Sequence, residues 1–149
     1  MRELKAREAT ADEIHRHLGT LAFHRPPPLE EVTVAVVTTA GLRTAGQQGW
    51  GDQDQSFRVL PGADRDLTLA HRSANFDRSG MVADINVVLP LDRLAELASD
   101  DVIGGVAPRH LSFMGALRGN LETIRLDSGP RAAALLHEDG VDVVLLTPV

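Results

Sequence analysis

The sequence predicts an α/β domain: a mainly parallel sheet flanked by helices. Three observations carry this. Two β-branched apolar runs, residues 32–39 and 141–146, lack polar alternation and read as strands covered on both faces. Segments with apolar residues at helical spacing separate the strands, the alternation that produces parallel sheets. The chain of 149 residues, 43% hydrophobic and 24% charged, has the size and balance of one ordinary globular domain.

Residues 1–27 read as an N-terminal helical arm and residues 28–149 as the α/β domain. In the arm, Thr10-Ala11-Asp12-Glu13 fits a capping box, in which hydroxyl and carboxylate satisfy free amides at a helix start. Ile14, Leu18 and Leu21 follow at helical spacing, and Pro26-Pro27-Pro28 ends the helix. Residues 32–39 are the first strand, closed by Ala40-Gly41. Residues 42–55, rich in Gly and Gln, read as a loop where ligands usually bind. Residues 56–60 read as a short strand before a Pro61-Gly62 turn, and residues 67–71 and 85–89 as further strands.

Pro90 suits the first helical position, and Leu91, Leu94, Ala95, Leu97 and Ala98 give the following helix its apolar face. Gly104-Gly105 breaks the chain before a mixed segment at residues 106–119. Residues 130–136 form a helix with Ser128 as cap and Gly140 as the left-handed residue after its end. Residues 141–146 are the closing strand. In open α/β sheets the chemistry lies just beyond the carboxyl ends of such strands.

Composition excludes several classes. A net charge of -6 without a cationic stripe opposes sequence-independent nucleic-acid binding, and 3% aromatics without Tyr leave no stacking platform. No apolar run approaches the ~20 residues of a membrane span. The charged N-terminus has no apolar segment behind it, so no signal peptide is read and a cytoplasmic location is expected. The absence of Cys removes disulfides, thiolate metal sites and a Cys nucleophile from these residues. No metal site or nucleotide cofactor is expected. Gly104-Gly105 matches no dinucleotide fingerprint, and Ser56, Ser73, Ser79 and Ser112 lack a nucleophile-elbow context.

Candidate chemistry gathers in two places. His71 and Asp84 lie on either side of a tight connection, with Asp77 between them. Imidazole plus carboxylates suffices for a general base or for an oxygen- and nitrogen-ligated divalent metal, though the spacing matches no compact metal motif. The alternative is that His71 sits at a strand end bonded to backbone. Asp92-Arg93 reads as a solvated first helical turn. In Pro108-Arg109-His110-Leu111-Ser112-Phe113-Met114-Gly115, Arg109, His110 and Ser112 are suited to a carboxylate, with Phe113 and Met114 as an apolar wall. The alternative there is an irregular loop whose Phe113 and Met114 plug the core. His15, His17, His24 and His137 read as helix-surface histidines.

Several blocks in order point further. They are residues 34–41 (VAVVTTAG), Gly51-Asp52 with Ser56-Phe57-Arg58-Val59-Leu60-Pro61, His71 with Phe76-Asp77-Arg78-Ser79-Gly80, and residues 84–94 (DINVVLPLDRL). Residues 103–115 (IGGVAPRHLSFMG) and 140–149 (GVDVVLLTPV) complete the series. From about Pro28 onward the chain resembles the selenoprotein B component of the glycine/sarcosine/betaine/D-proline reductase family. The resemblance implies an oxidoreductase component for thiol-driven reductive cleavage of a carbon–nitrogen bond in an amino acid or amine.

It further implies a selenocysteine, or a cysteine in its place, directly after a Thr-Pro-Val-like strand end. Here Thr147, Pro148 and Val149 would border that nucleophile. His71, His110 and Asp77 are the expected catalytic residues, with Asp84, Arg109, Ser112 and Met114 around the substrate. Other reductase subunits, one of them bearing a pyruvoyl group, and a thiol or selenol redox protein are the expected partners. The resemblance also implies an incomplete domain: the N-terminal half of a longer protein, with a UGA codon after Val149 read as stop or the chain cut there. Such a half is expected to be inactive alone and to form homo-oligomers through its uncovered flank. The competing reading is a non-catalytic binding or assembly module of the same fold; a hydrolase or nucleotide-dependent enzyme ranks third.

Overall fold

In the computed structural model, which describes residues 25–149, the sheet is organised around β1 (Thr33–Thr38). Alternate residues of a strand face opposite sides, and β1 is apolar on both. Val34 and Val36 enter one core, Ala35 the other. β7 (Val143–Thr147) runs parallel along one edge of β1, from Val34 opposite Val143 to Thr38 opposite Thr147. The other edge is shared end to end by two parallel pieces, β5 (Gly105–Val106) and β6 (Arg109–Ser112). β3 (Arg58–Pro61) continues the sheet beyond β6 in antiparallel sense. β2 (Leu42–Thr44) and β4 (Leu67–Leu69) form a separate antiparallel ribbon.

Helices cover both faces, which makes this an α/β fold with a mostly parallel sheet. Ser79–Ala83 form the short α1, whose Met81 joins the first core. α2 (Leu91–Ser99) adds Leu91 and Leu94 to the same core. α3 (Gly129–Glu138) covers the opposite face with Ala132 and Leu136. Full burial of one such leucine stabilises by about 1.5–3 kcal/mol. Gly140, at φ +69°, turns the chain out of α3, and Val141 N–H closes on Leu136 O at 3.1 Å.

The gap between β5 and β6 is patched by a side chain. Ala107 N–H reaches Val34 O at 2.9 Å, the last backbone bond of the β5 side. Val36 N–H instead donates to His110 Nδ1 at 3.1 Å, and the ladder resumes with Phe113 N–H to Thr38 O at 2.8 Å.

The structure corrects five expectations. Residues 85–89 are not a strand: Ile85–Val87 form a 3₁₀ turn, started by Asp84 accepting from Asn86 N–H at 2.9 Å. Their apolar content reflects the burial of Val88 and Leu89. Residues 42–55 are not wholly loop, since β2 occupies the first three. The rest is pinned by Trp50 Nε1 donating to Ser56 O at 2.8 Å and by Arg58, 4.5 Å over the Trp50 ring.

The mixed segment contains β5 and β6. Ser128 does not cap α3; a π-helical turn, Ile124–Ser128, runs into that helix, and the Ser128 hydroxyl donates to Gln55 O at 2.7 Å. The closing strand is not covered on both faces. β1 is its only strand neighbour among the described residues, and Val144, Leu145 and Leu146 are exposed. The expected N-terminal helix after Thr10 lies outside the described residues. Among those described, no helix is long and apolar enough to cross a membrane.

Candidate active site

Hydroxyl groups lace the carboxyl ends of β1 and β7 together. Thr38 Oγ1 accepts from Ala40 N–H at 3.2 Å and donates to Thr147 O at 3.3 Å. The Thr147 hydroxyl donates to Val88 O at 2.7 Å. Thr39 Oγ1 accepts from Val149 N–H at 2.9 Å and donates to the Val149 main-chain oxygen at 3.2 Å. Thr147, Pro148 and Val149 therefore lie against the exit of β1.

Gly41 makes the next step possible. At φ +66° it adopts a backbone that side chains disfavour, and a Cβ there would stand 3.0 Å from Met114 Cε and 3.1 Å from His71 N and Cα. His71 and Met114 thus meet across this glycine. Ser112 is close by, its Oγ accepting from Leu42 N–H at 2.8 Å.

His71 is 6% exposed, its ring stacked on Phe76 with centroids 4.3 Å apart. Nδ1 accepts from Ser73 N–H at 3.2 Å, which assigns the ring proton to Nε2. Nε2 itself is buried without a partner among the described residues. Burial first, and then the Arg78 guanidinium bonded to the His71 carbonyl, hold its pKa below the ordinary histidine value. The result is a neutral imidazole with an unused N–H donor, which suits proton transfer.

Four expected site residues are bonded to other partners. Asp77 accepts from Ser79 N–H and hydroxyl, Asp84 from Asn86, and these bonds lower both carboxyl pKa values. Neither carboxylate bonds His71. Arg109 stands at the amino end of β6 and grips Asp139 at the end of α3 through Nε at 2.7 Å and Nη2 at 2.5 Å. That bond raises the pKa of Arg109 and lowers that of Asp139. His110 is fully buried, its Nδ1 committed to Val36; burial, helped by the positive Arg65 and opposed by Asp139, pushes its pKa to about 4. Sequence reasoning passes over Thr38 and Thr39, although two hydroxyls at a strand end just before a glycine are a readable signal. Among the described residues no group of three or more His, Asp or Glu is placed to hold a metal ion.

No protein-family model matches the chain, and no solved structure does. Curated proteins do. The chain is 35% identical over 133 residues to D-proline reductase subunit gamma of Acetoanaerobium sticklandii, covering 82% of this chain and 54% of that protein. The likeness is to the component B family of these reductases. Two further relatives come from Peptoclostridium acidaminophilum. The sarcosine reductase complex component B subunit beta is 31% identical over 140 residues, covering 84% of this chain and 31% of that protein. The betaine reductase complex component B subunit beta is 29% identical over 130 residues, covering 80% and 28%. The chain thus spans about half the length of the first relative and under a third of the others. By name, these relatives are subunits of reductases, two of them of reductase complexes with a component B.

Proposed function

We propose that this chain supplies part of a thiol- or selenol-dependent reductase that cleaves a carbon–nitrogen bond in a glycine-, sarcosine-, betaine- or D-proline-type substrate. The carrying observation is the 35% identity over 133 residues to a D-proline reductase subunit. The position of Val149 against the exit of β1, where His71 and Met114 also meet across Gly41, supports the reading.

In this reading a selenocysteine or cysteine follows Val149. A selenolate is ionised at neutral pH, whereas an ordinary thiol, with a pKa of about 8.5, needs help. The nucleophile attacks the carbon bearing nitrogen; that C–N bond breaks and the nitrogen takes a proton. A second thiol then attacks the carbon-bound sulfur or selenium. The carbon leaves with a proton as C–H, and the two chalcogens remain joined. Net, two thiol hydrogens are consumed, the amine is reduced at carbon, and a disulfide or its selenium analogue forms. His71, with its Nε2–H free among the described residues, is the group we assign to protonation; Ser112 and Met114 are the side chains we place beside it around the substrate. A pyruvoyl group on a partner subunit, where present, would activate the amine. We place the reaction in the cytoplasm, where thiols stay reduced.

The test is amine-dependent oxidation of a dithiol, measured for the 149-residue chain and for a polypeptide continuing through the next strand and helix. Turnover is expected from the longer form alone. Turnover by the short form excludes this mechanism.

One observation favours a second reading, an assembly module without chemistry: the apolar outer edge of β7, which pairs with no strand among the described residues. That reading requires a stable oligomer of the 149-residue chain. A monomer in light scattering counts against it.

A further inference from the structure

The carboxyl end of β7 poses a geometric problem that one side chain solves. Thr39 N–H donates to Thr147 O at 3.2 Å, so the parallel ladder between β1 and β7 runs unbroken to that point. Continued by one step, it would send Val149 N–H to the Thr39 carbonyl. That carbonyl is already taken from the opposite side by Gly115 N–H at 2.9 Å. Pro148 has no N–H to contribute. The outer edge of β7 has no strand beside it among the described residues. By ladder geometry alone, the chain beyond Thr147 would hang free.

The Thr39 hydroxyl takes the place of the missing acceptor. It accepts from Val149 N–H at 2.9 Å and donates to the Val149 oxygen at 3.2 Å, gripping both polar groups of one residue. Gly115 leaves room for the grip. A Cβ at position 115 would stand 2.6 Å from the Val149 oxygen, closer than packed atoms allow, and a tight 3.1 Å from Thr39 Oγ1. The same stretch of backbone reaches Met114 and, across Gly41, His71. The hydroxyl clamp and the orphan imidazole therefore flank the same exit of β1.

We propose that Thr39 is a positioning residue: its hydroxyl, with the space left by Gly115, fixes the direction in which the chain leaves Val149 and so aims the group that follows. The inference rests on the reductase reading above. Covalent attack needs its nucleophile held in line with the reacting carbon, and a strand end without lateral support does not hold it. The serine equivalent of Thr39 keeps the grip, and the isosteric valine removes it without disturbing the packing.

Two measurements on wild type, Thr39→Val and Thr39→Ser test this. The first is amide hydrogen exchange at Val149 in the 149-residue chain, which needs no substrate. One lost hydrogen bond corresponds to roughly fivefold faster exchange in Thr39→Val, with Thr39→Ser at the wild-type rate. Equal rates in all three overturn the clamp. The second is turnover by the assembled reductase complex containing this chain. Misaiming is expected to lower kcat on the order of 10- to 100-fold in Thr39→Val, with KM within about twofold and recovery in Thr39→Ser. Faster exchange with unchanged kcat overturns the positioning role while leaving the clamp in place. No turnover by the wild-type complex with any of the four amines overturns the reductase reading and the positioning role together, and the exchange data still report the clamp.

Discussion

β1 and β7 are built from the same kind of residues, yet they live in different surroundings. In β1, Val34, Ala35 and Val36 are buried from both sides. In β7, paired with β1 residue for residue, Leu145 is 38% and Leu146 67% exposed. The difference is one of neighbours. β1 has strands on both edges and helices over both faces, whereas β7 has β1 alone among the described residues. Composition reports that a segment is a strand; it does not report how many strands flank it.

The largest expected effect probes the covered side. Leu111 in β6 is fully buried in the core that α3 covers. Leu111→Ala is expected to cost about 2–5 kcal/mol in urea unfolding, since the cavity adds to the lost transfer energy. A cost below about 1 kcal/mol would mean that this core is loosely packed.

The next effect is pH-dependent and also belongs to the sheet centre. The His110 pKa, about 4 in the fold against 6.5 ordinarily, is depressed, so the unfolded chain binds the proton more readily. Stability is full above pH 6.5 and falls as pH drops from there toward 4. Protonation of Nδ1 also removes the acceptor of Val36 N–H. Between pH 7.5 and pH 5 the wild type is expected to lose about 2 kcal/mol more than His110→Gln does. Parallel losses in the two proteins would contradict a neutral buried His110.

A smaller effect comes from the amino end of β6. Asp139→Asn, which weakens the paired bonds to Arg109, lowers the thermal midpoint by less than either change above. A drop as large as that of Leu111→Ala would make this pair a main support of α3.

The smallest effect belongs to the open edge. Leu146→Lys is expected to change monomer stability by less than about 0.5 kcal/mol, because the side chain has little cover to lose. A larger loss, or a switch from oligomer to monomer in light scattering, would show that a partner covers β7 in solution.

The same contrast explains what the sequence reveals. β1, α2, α3 and the turn at Gly140 are legible because periodicity, β-branching and a left-handed glycine are local signals. β2 is three residues long and exists through its pairing with Leu67–Leu69, which no local pattern announces. β6 reads as a ligand loop because Arg109, His110 and Ser112 are polar. In the fold, the buried two spend their polarity on backbone N–H groups of Val36 and Leu42. At the site, His71, Ser112 and Met114 assemble near the strand end. Asp77 and Asp84 satisfy their own turns instead, and Thr39 matters through a partner more than a hundred residues away in sequence.

The proposed chemistry needs a reactive selenium or sulfur atom attached next to Val149. Its most direct test is the intact mass and selenium content of the polypeptide purified from its own organism. The expectation is a mass well above the 16.0 kDa of these residues, with selenocysteine or cysteine directly after Val149. A polypeptide of 16.0 kDa ending at Val149 and free of selenium would contradict it.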